Sequence, residues 1–268
     1  MSQNNTAVAA LTIACSDSGG GAGLQADLMS FSAMGVFGTC AVTAITARSP
    51  TEVRTVVPLL PELVLDQIRM VCESFPIAAA KTGLLYSADI IRAVVDADIS
   101  QGIPILVVDP IMVSRTGVRL LQADAIEILC NELLHEARVV TPNLHEAEIL
   151  CGHTISSLED LQRAAREIGE KYDVACVVKG GILPGEEVYD VLYDEGEEYV
   201  FPVPRIHVAE KHGAGCAFSG ALTALLARGE LICDAVRTAQ SFVTDALNRA
   251  YRIGPHTPLN LRDARPGL

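Results

Sequence analysis

The chain has 268 residues, 50% of them apolar, with a mean hydropathy of +0.32, which allows a large buried core and excludes a mainly disordered protein. Only 20 Lys and Arg stand against 33 Asp and Glu, a net charge of -13 that repels duplex phosphates and anionic membrane surfaces. No Trp and 4% aromatic residues exclude stacking platforms for single-stranded nucleic acid, and no apolar run approaches the about 18 residues of a membrane span.

The first apolar run, residues 7–15, has no Lys or Arg before it and ends in Asp17 and a glycine cluster, so it reads as a strand and not as a signal peptide. Strands are predicted at 8–14, 39–47, 77–81, 105–109, 138–141, 174–179, 188–193 and 198–203, apolar through the middle as buried parallel strands are. Segments of helical period lie between and after them, at 24–34, 61–74, 87–98, 123–136, 144–150, 157–172, 217–227 and 233–251. This alternation predicts an α/β fold with a mostly parallel sheet covered on both faces. The last two strands, joined by Asp194-Glu195-Gly196-Glu197, read as a hairpin. No repeat or linker divides the chain, so one domain over 1–268 is expected, with weakly structured tails at 1–6 and after about Gly254. The 8 cysteines are spread out and form no C-x-x-C pair, as reduced core thiols do, which predicts a cytoplasmic protein.

Five motifs could carry chemistry. Cys15-Ser16-Asp17-Ser18-Gly19-Gly20-Gly21-Ala22-Gly23 joins a strand to a helix and lets backbone amides approach a ligand at a positive helix end, though a tight turn would need glycines too. It lacks the G-K-[ST] of a Walker loop and the later acidic residue of a dinucleotide fingerprint. Val107-Val108-Asp109-Pro110 places Asp109 at the C-terminal edge of a strand, where open α/β sheets bind ligands. Asn143 and Glu146 follow another strand end at i, i+3; with Asp109 they could hold Mg2+ through water, and the same spacing equally fits an N-cap with its N3 carboxylate. Lys179 precedes two glycines, either as a phosphate contact or as an ordinary surface lysine. In His212-Gly213-Ala214-Gly215-Cys216 the amides of an opening helix could form an anion hole. The helix dipole there should lower the Cys216 thiol pKa, and a nearby phosphate should raise it again. His145 and His153 show no convincing metal spacing and are read as surface or capping residues; no zinc site is expected.

Leu11-Thr12-Ile13-Ala14-Cys15-Ser16-Asp17 with its glycine run, Gln25-Ala26-Asp27, Lys81-Thr82-Gly83, Val108-Asp109-Pro110-Ile111-Met112-Val113, Thr141-Pro142-Asn143 and Lys179-Gly180-Gly181 occur in one order. From Ala10 to about Asn260 the chain thereby resembles the hydroxymethylpyrimidine and phosphomethylpyrimidine kinases of thiamine biosynthesis, in the ribokinase-like superfamily. The resemblance implies a three-layer α/β/α fold without a separate lid domain and ATP- and Mg2+-dependent phosphorylation of a small pyrimidine. It also implies a homodimer, while the charge and the lack of an apolar span leave nucleic acid and membrane out as expected partners. By position, Ala22, Gly23, Leu84 and Ile111 would line the pyrimidine pocket. Asp109, Asn143 and Glu146 would organise Mg2+, Lys179 and Lys211 would contact ATP, and Gly213, Ala214 and Gly215 would form the anion hole. Cys216 would stand where sugar kinases of the superfamily carry a catalytic aspartate.

Two departures bear on the substrate. Arg48 replaces a glutamine that contacts the pyrimidine in such kinases, and it cannot accept a hydrogen bond, so it suits an anionic acceptor such as a phosphorylated pyrimidine unless it turns to solvent. Lys211-His212-Gly213-Ala214-Gly215-Cys216 lacks two usual hydroxyls, and Gly-Ala-Gly-Cys also appears in similar pyridoxal kinases. A pyridoxal or pyridoxine kinase, or a non-catalytic pyrimidine-binding descendant, are therefore the alternative expectations.

Overall fold

The computed structural model describes residues 7–49, 51–97, 102–113, 119–208 and 212–265. Lys211, expected near ATP, lies outside them.

Among the described residues nine strands form one sheet in the order β3-β2-β1-β4-β5-β6-β7-β8-β9. They are β1 (Ala9–Asp17), β2 (Phe37–Arg48), β3 (Val53–Pro58), β4 (Ile77–Thr82), β5 (Leu106–Val108), β6 (Val139–Val140), β7 (Ala175–Lys179), β8 (Glu187–Asp194) and β9 (Glu197–Pro204). Across the sheet from β2 to β7 all pairs are parallel, whereas β3, β8 and β9 pair antiparallel. The helices are α1 (Gly23–Ala33), α2 (Pro61–Ser74), α3 (Ala88–Asp96), α4 (Ala123–Ile128), α5 (Leu144–Cys151), α6 (Leu158–Tyr172), α7 (Ala214–Ala227) and α8 (Ile232–Asn248). Among the described residues no helix is long and apolar enough to cross a membrane.

Neighbouring residues on a strand point to opposite faces, and the core accordingly divides in two. Leu11, Val108, Val140 and Val178 pack with α2 to α6, while Ala10, Val107, Val139 and Val177 pack with α1, α7 and α8. The result is the expected three-layer α/β/α fold. Because α1 leaves β1 on one face and α3 leaves β4 on the other, the connections diverge between these adjacent strands and open a crevice at their C-terminal edge.

Three expectations need correction. β3 is additional: it lies at the sheet edge, its side chains are largely exposed, and it therefore lacks the apolar run that marked the other strands. The stretch 123–136 is α-helical only to Ile128; Leu129–Leu133 widens into a π turn and Leu134–Glu136 tightens into a 3-10 turn. After Gly254 the described chain is not a loose tail, because Leu259, Leu261 and Ala264 are buried against the α7–α8 side of the core.

Candidate active site

The two glycine turns meet. Gly213 caps α7 with φ +87°, and a Cβ there would stand 1.7 Å from the carbonyl oxygen of Gly21. Only a residue without a side chain permits that approach. His212 reinforces the junction: its Nε2 lies 3.1 Å from Asp17 Oδ2, and its Nδ1 lies 3.3 Å from Arg48 Nη2. Asp17 also accepts hydrogen bonds from the amides of Gly19 at 2.8 Å and Ala22 at 3.0 Å. Burial alone would raise the Asp17 pKa, but the hydrogen bonds from His212 and Gly19 outweigh it and hold the carboxyl below its ordinary value. Arg48 has thus folded inwards, with its Nε buried and unpartnered among the described residues.

The amides of Ala214, Gly215 and Cys216 precede the first intrahelical bond of α7, which Ala217 donates to Gly213, and among the described residues no side chain caps them. They remain available to an anion at the positive end of the helix. Cys216 is buried at 9% exposure, and the Gly23 amide donates to its sulfur. Here the sequence expectation fails in sign: loss of water pushes the thiol pKa up to about 11, and the ammonium of Lys81 and the Gly23 amide offset this only partly, with Asp27 and Asp109 adding to the rise. Lys81 and Asp27 form a fully buried ion pair at 2.7 Å, and the Thr12 hydroxyl donates to Asp27 at 2.6 Å. The Asp27 carboxylate keeps Lys81 charged beside Cys216. Both residues fell inside quoted motifs, yet nothing in their spacing identified them as a pair.

Across the crevice, Lys179 Nζ donates to Asp109 Oδ1 at 2.9 Å, and a Cβ on Gly215 would lie 3.4 Å from that ammonium. The surface alternative for Lys179 is therefore excluded. Ser219, one helical turn beyond Gly215, donates to Asp109 Oδ2 at 3.0 Å, and the Thr141 hydroxyl lies 3.3 Å from Oδ1. Asn143 and Glu146 form a capping box: the Asn143 side chain accepts from the Glu146 amide at 3.1 Å, and Glu146 accepts from the Asn143 amide at 2.8 Å. The cap does not exhaust Glu146. Its other oxygen accepts from the Met112 amide at 3.3 Å, and burial pushes its pKa up to about 8, with Lys179 pulling down and Asp109 pushing up.

Asp109 and Glu146 are both buried, with Asp109 close enough to push the Glu146 pKa up, and as hard-oxygen groups they fit a divalent cation such as Mg2+. Asn143 is less free, since its side-chain oxygen serves the helix cap. Leu84 and Ile111 follow the ends of β4 and β5 and are half-buried, and Ala22 is buried at the junction of the glycine turns.

The family model described as "Phosphomethylpyrimidine kinase" matches residues 17–260. A hydroxymethylpyrimidine/phosphomethylpyrimidine kinase of Haemophilus influenzae is 41% identical over 93% of this chain and 95% of its own length. The solved phosphomethylpyrimidine kinase of Clostridium difficile superposes with a TM-score of 0.80 at 37% identity, over 90% of this chain and 99% of that one. A pyridoxal kinase of Staphylococcus aureus in complex with ADP superposes with a TM-score of 0.88 at 33% identity, covering 96% and 94%. With glycine turns, buried lysines and carboxylates gathered at one crevice of this fold, the chain belongs to the phosphomethylpyrimidine kinase family of ribokinase-like phosphotransferases.

Proposed function

We propose that this chain transfers the terminal phosphoryl group of ATP to 4-amino-5-hydroxymethyl-2-methylpyrimidine and then to the resulting monophosphate, in thiamine biosynthesis. The observation that carries this reading is the contact of Gly213 with Gly21, which joins a helix end without a side-chain cap to the opposite glycine turn, whose Gly23 amide donates to the Cys216 sulfur. In this reading Gly21, Ala22 and Gly23 face the acceptor with Leu84 and Ile111, and the α7 amides receive the charge of the moving phosphoryl group. Lys179 turns from Asp109 towards the ATP phosphates. Mg2+, when bound, supplies positive charge at the phosphate oxygens, and Asp109 and Glu146 are the residues that would hold it.

A thiol pushed up to about 11 is protonated at neutral pH, so Cys216 begins the reaction as a neutral group that orients the acceptor hydroxyl. In a loose phosphoryl transfer the nucleophile needs little prior deprotonation, and the proton leaves late. The sulfur already carries its own proton and the Lys81 ammonium lowers its basicity, so the hydroxyl proton passes to the transferred phosphoryl group or to water while Cys216 holds the hydroxyl in place. Arg48, unpaired at Nε, supports an acceptor that already carries a phosphate.

Pyridoxal phosphorylation is the second reading, favoured by the pyridoxal kinase likeness at 33% identity and placed second by pyrimidine kinases at up to 41%. The test is ADP release from ATP with hydroxymethylpyrimidine, its monophosphate and pyridoxal in parallel. Turnover of the pyrimidines is the expected result; turnover of pyridoxal alone overturns it, and tight pyrimidine binding without ADP would identify a non-catalytic binder. We further propose a homodimer through the exposed apolar residues of β2, β3 and α2, where Ile45 and Val57 pair across strands and Leu60 and Met70 lie exposed nearby in sequence. The unpaired cysteines suit a reducing compartment, and we assign the protein to the cytoplasm.

A further inference from the structure

Helix α5 begins beside the oxygen-rich site of Asp109 and Glu146 and ends, eight residues and about 12 Å later, at Cys151. Gly152 follows with φ +80°, and this left-handed turn brings His153 back against the helix end, where the Cys151 thiol approaches the His153 carbonyl at 3.6 Å. Helix α6 supplies Glu167, whose Oε2 lies 2.8 Å from His153 Nε2. One ligand atom from each of Cys151, His153 and Glu167 falls within 4.8 Å of the others. Tetrahedral bonds of about 2.0–2.3 Å hold neighbouring ligand atoms about 3.3–3.8 Å apart, so the three stand within about an ångström of such a set.

We propose that this corner between α5 and α6 binds a Zn2+-class divalent ion through the Cys151 sulfur, the His153 imidazole and the Glu167 carboxylate, with water in the fourth position. Thiolate, imidazole and carboxylate together select a borderline-soft ion over Mg2+. The imidazole is already oriented for the task. Its Nδ1 lies 3.2 Å from the Thr154 carbonyl, the outer-shell partner that fixes the tautomer of a ligating histidine. With Nδ1–H donated there, the Nε2 lone pair faces a carboxylate oxygen at 2.8 Å, and such a contact requires a proton or a metal between the two acceptors. Arg163 competes, since its Nη2 lies 3.3 Å from the same Nδ1 and its Nε 3.9 Å from Glu167; Asp160, at 2.8 Å, retains that guanidinium when the ion enters.

Access and charge also agree with a site. The side chains of His153 and Glu167 are 28% and 43% exposed, leaving a path for ion and water. A thiolate and a carboxylate neutralise a divalent ion, and Glu148 adds negative charge nearby. Burial raises the Cys151 pKa, so binding must displace a thiol proton and strengthens as pH rises. The ion would pin the end of α5 to α6, far from the reacting groups.

The test uses the full chain, reduced with a phosphine, stripped with a chelator and titrated with Co2+ as the probe, then with Zn2+. Expected are one equivalent bound, a near-ultraviolet thiolate-to-cobalt band, displacement by Zn2+, and a Zn2+-dependent rise in Tm. Cys151→Ser should abolish the band, and His153→Gln and Glu167→Gln should each weaken binding at least tenfold, whereas Cys72→Ser should change nothing. If Cys151→Ser fails to fold, the two solvent-facing variants decide alone. No band at one equivalent, a band that survives Cys151→Ser, or equal affinity and thermal shift in His153→Gln and Glu167→Gln would overturn the proposal.

Discussion

Gly213 lies so close to Gly21 that a single added methyl group would fall 1.7 Å from the Gly21 carbonyl oxygen. Gly213→Ala must therefore push the two turns apart and also strain a residue at φ +87°. The expected result is a loss of turnover of at least about 100-fold, since misplacement by an ångström costs that much, with a folded protein by circular dichroism. Turnover within a factor of two of the parent would remove the junction from the mechanism.

Cys216→Ala should lower kcat by about 100-fold, the cost of a misplaced reacting group, while leaving the Tm nearly unchanged. Because burial pushes this thiol up to about 11, its alkylation by iodoacetamide should be slow at pH 7 and should accelerate as pH rises towards 11. Mass spectrometry of the residue 216 peptide reads the labelling, and fast modification at neutral pH would contradict a desolvated, protonated sulfur.

Arg48→Gln should shift the ratio of kcat/KM values towards the unphosphorylated pyrimidine by about tenfold, the size of one lost charge-assisted contact. Since Arg48 also touches His212 at 3.3 Å, a change of equal size for both acceptors would assign it to holding the loop. Separate kinetics with each acceptor distinguish the outcomes.

Removing one partner of the buried Lys81–Asp27 pair leaves the other charge unpaired, which costs about 3–5 kcal/mol. Lys81→Met should show that loss in urea unfolding, and Lys81→Met with Asp27→Leu should recover part of it. Additive losses in the double variant would mean that the pair is not coupled.

Asp190 supports the loop after Lys179, accepting from the Gly180 amide and from Gln240, each at 3.0 Å. Burial pushes its pKa up to about 6, against an ordinary value of 3.8, so the folded state binds this proton more tightly than the unfolded chain. Its contribution to stability is complete below about pH 4 and is lost as pH rises towards 6, an amount of about 3 kcal/mol. The stability of Asp190→Asn relative to the parent should therefore improve between pH 4 and pH 7. A difference that stays constant with pH would contradict this.

The layered fold was legible because buried parallel strands need unbroken apolar runs and the covering helices keep their period. β3 was not, since an exposed edge strand needs neither, and the turns after Ile128 keep an apolar face while changing pitch. The glycine turns and Asp109 announced themselves through position at strand ends. The sign of the Cys216 shift did not, because desolvation depends on the packing of α7 against α1 and not on the helix start alone. The spacing of Asn143 and Glu146 fits a cap and a cation site equally; the structure shows the cap, with the Met112 amide as a further contact of Glu146 that no spacing announces. The Cys151–His153–Glu167 corner is illegible in the sequence for a related reason: Cys151 and His153 are made neighbours by the left-handed Gly152, and Glu167 arrives from the next helix.

The pairing of Gly21 with Gly213 also sets a schedule during synthesis. The Gly21 turn is made before most of the sheet, but its counterpart follows only after all nine described strands. A nascent chain can thus complete its sheet before the crevice is closed, and the junction forms late, when the start of α7 docks beside residues translated long before it.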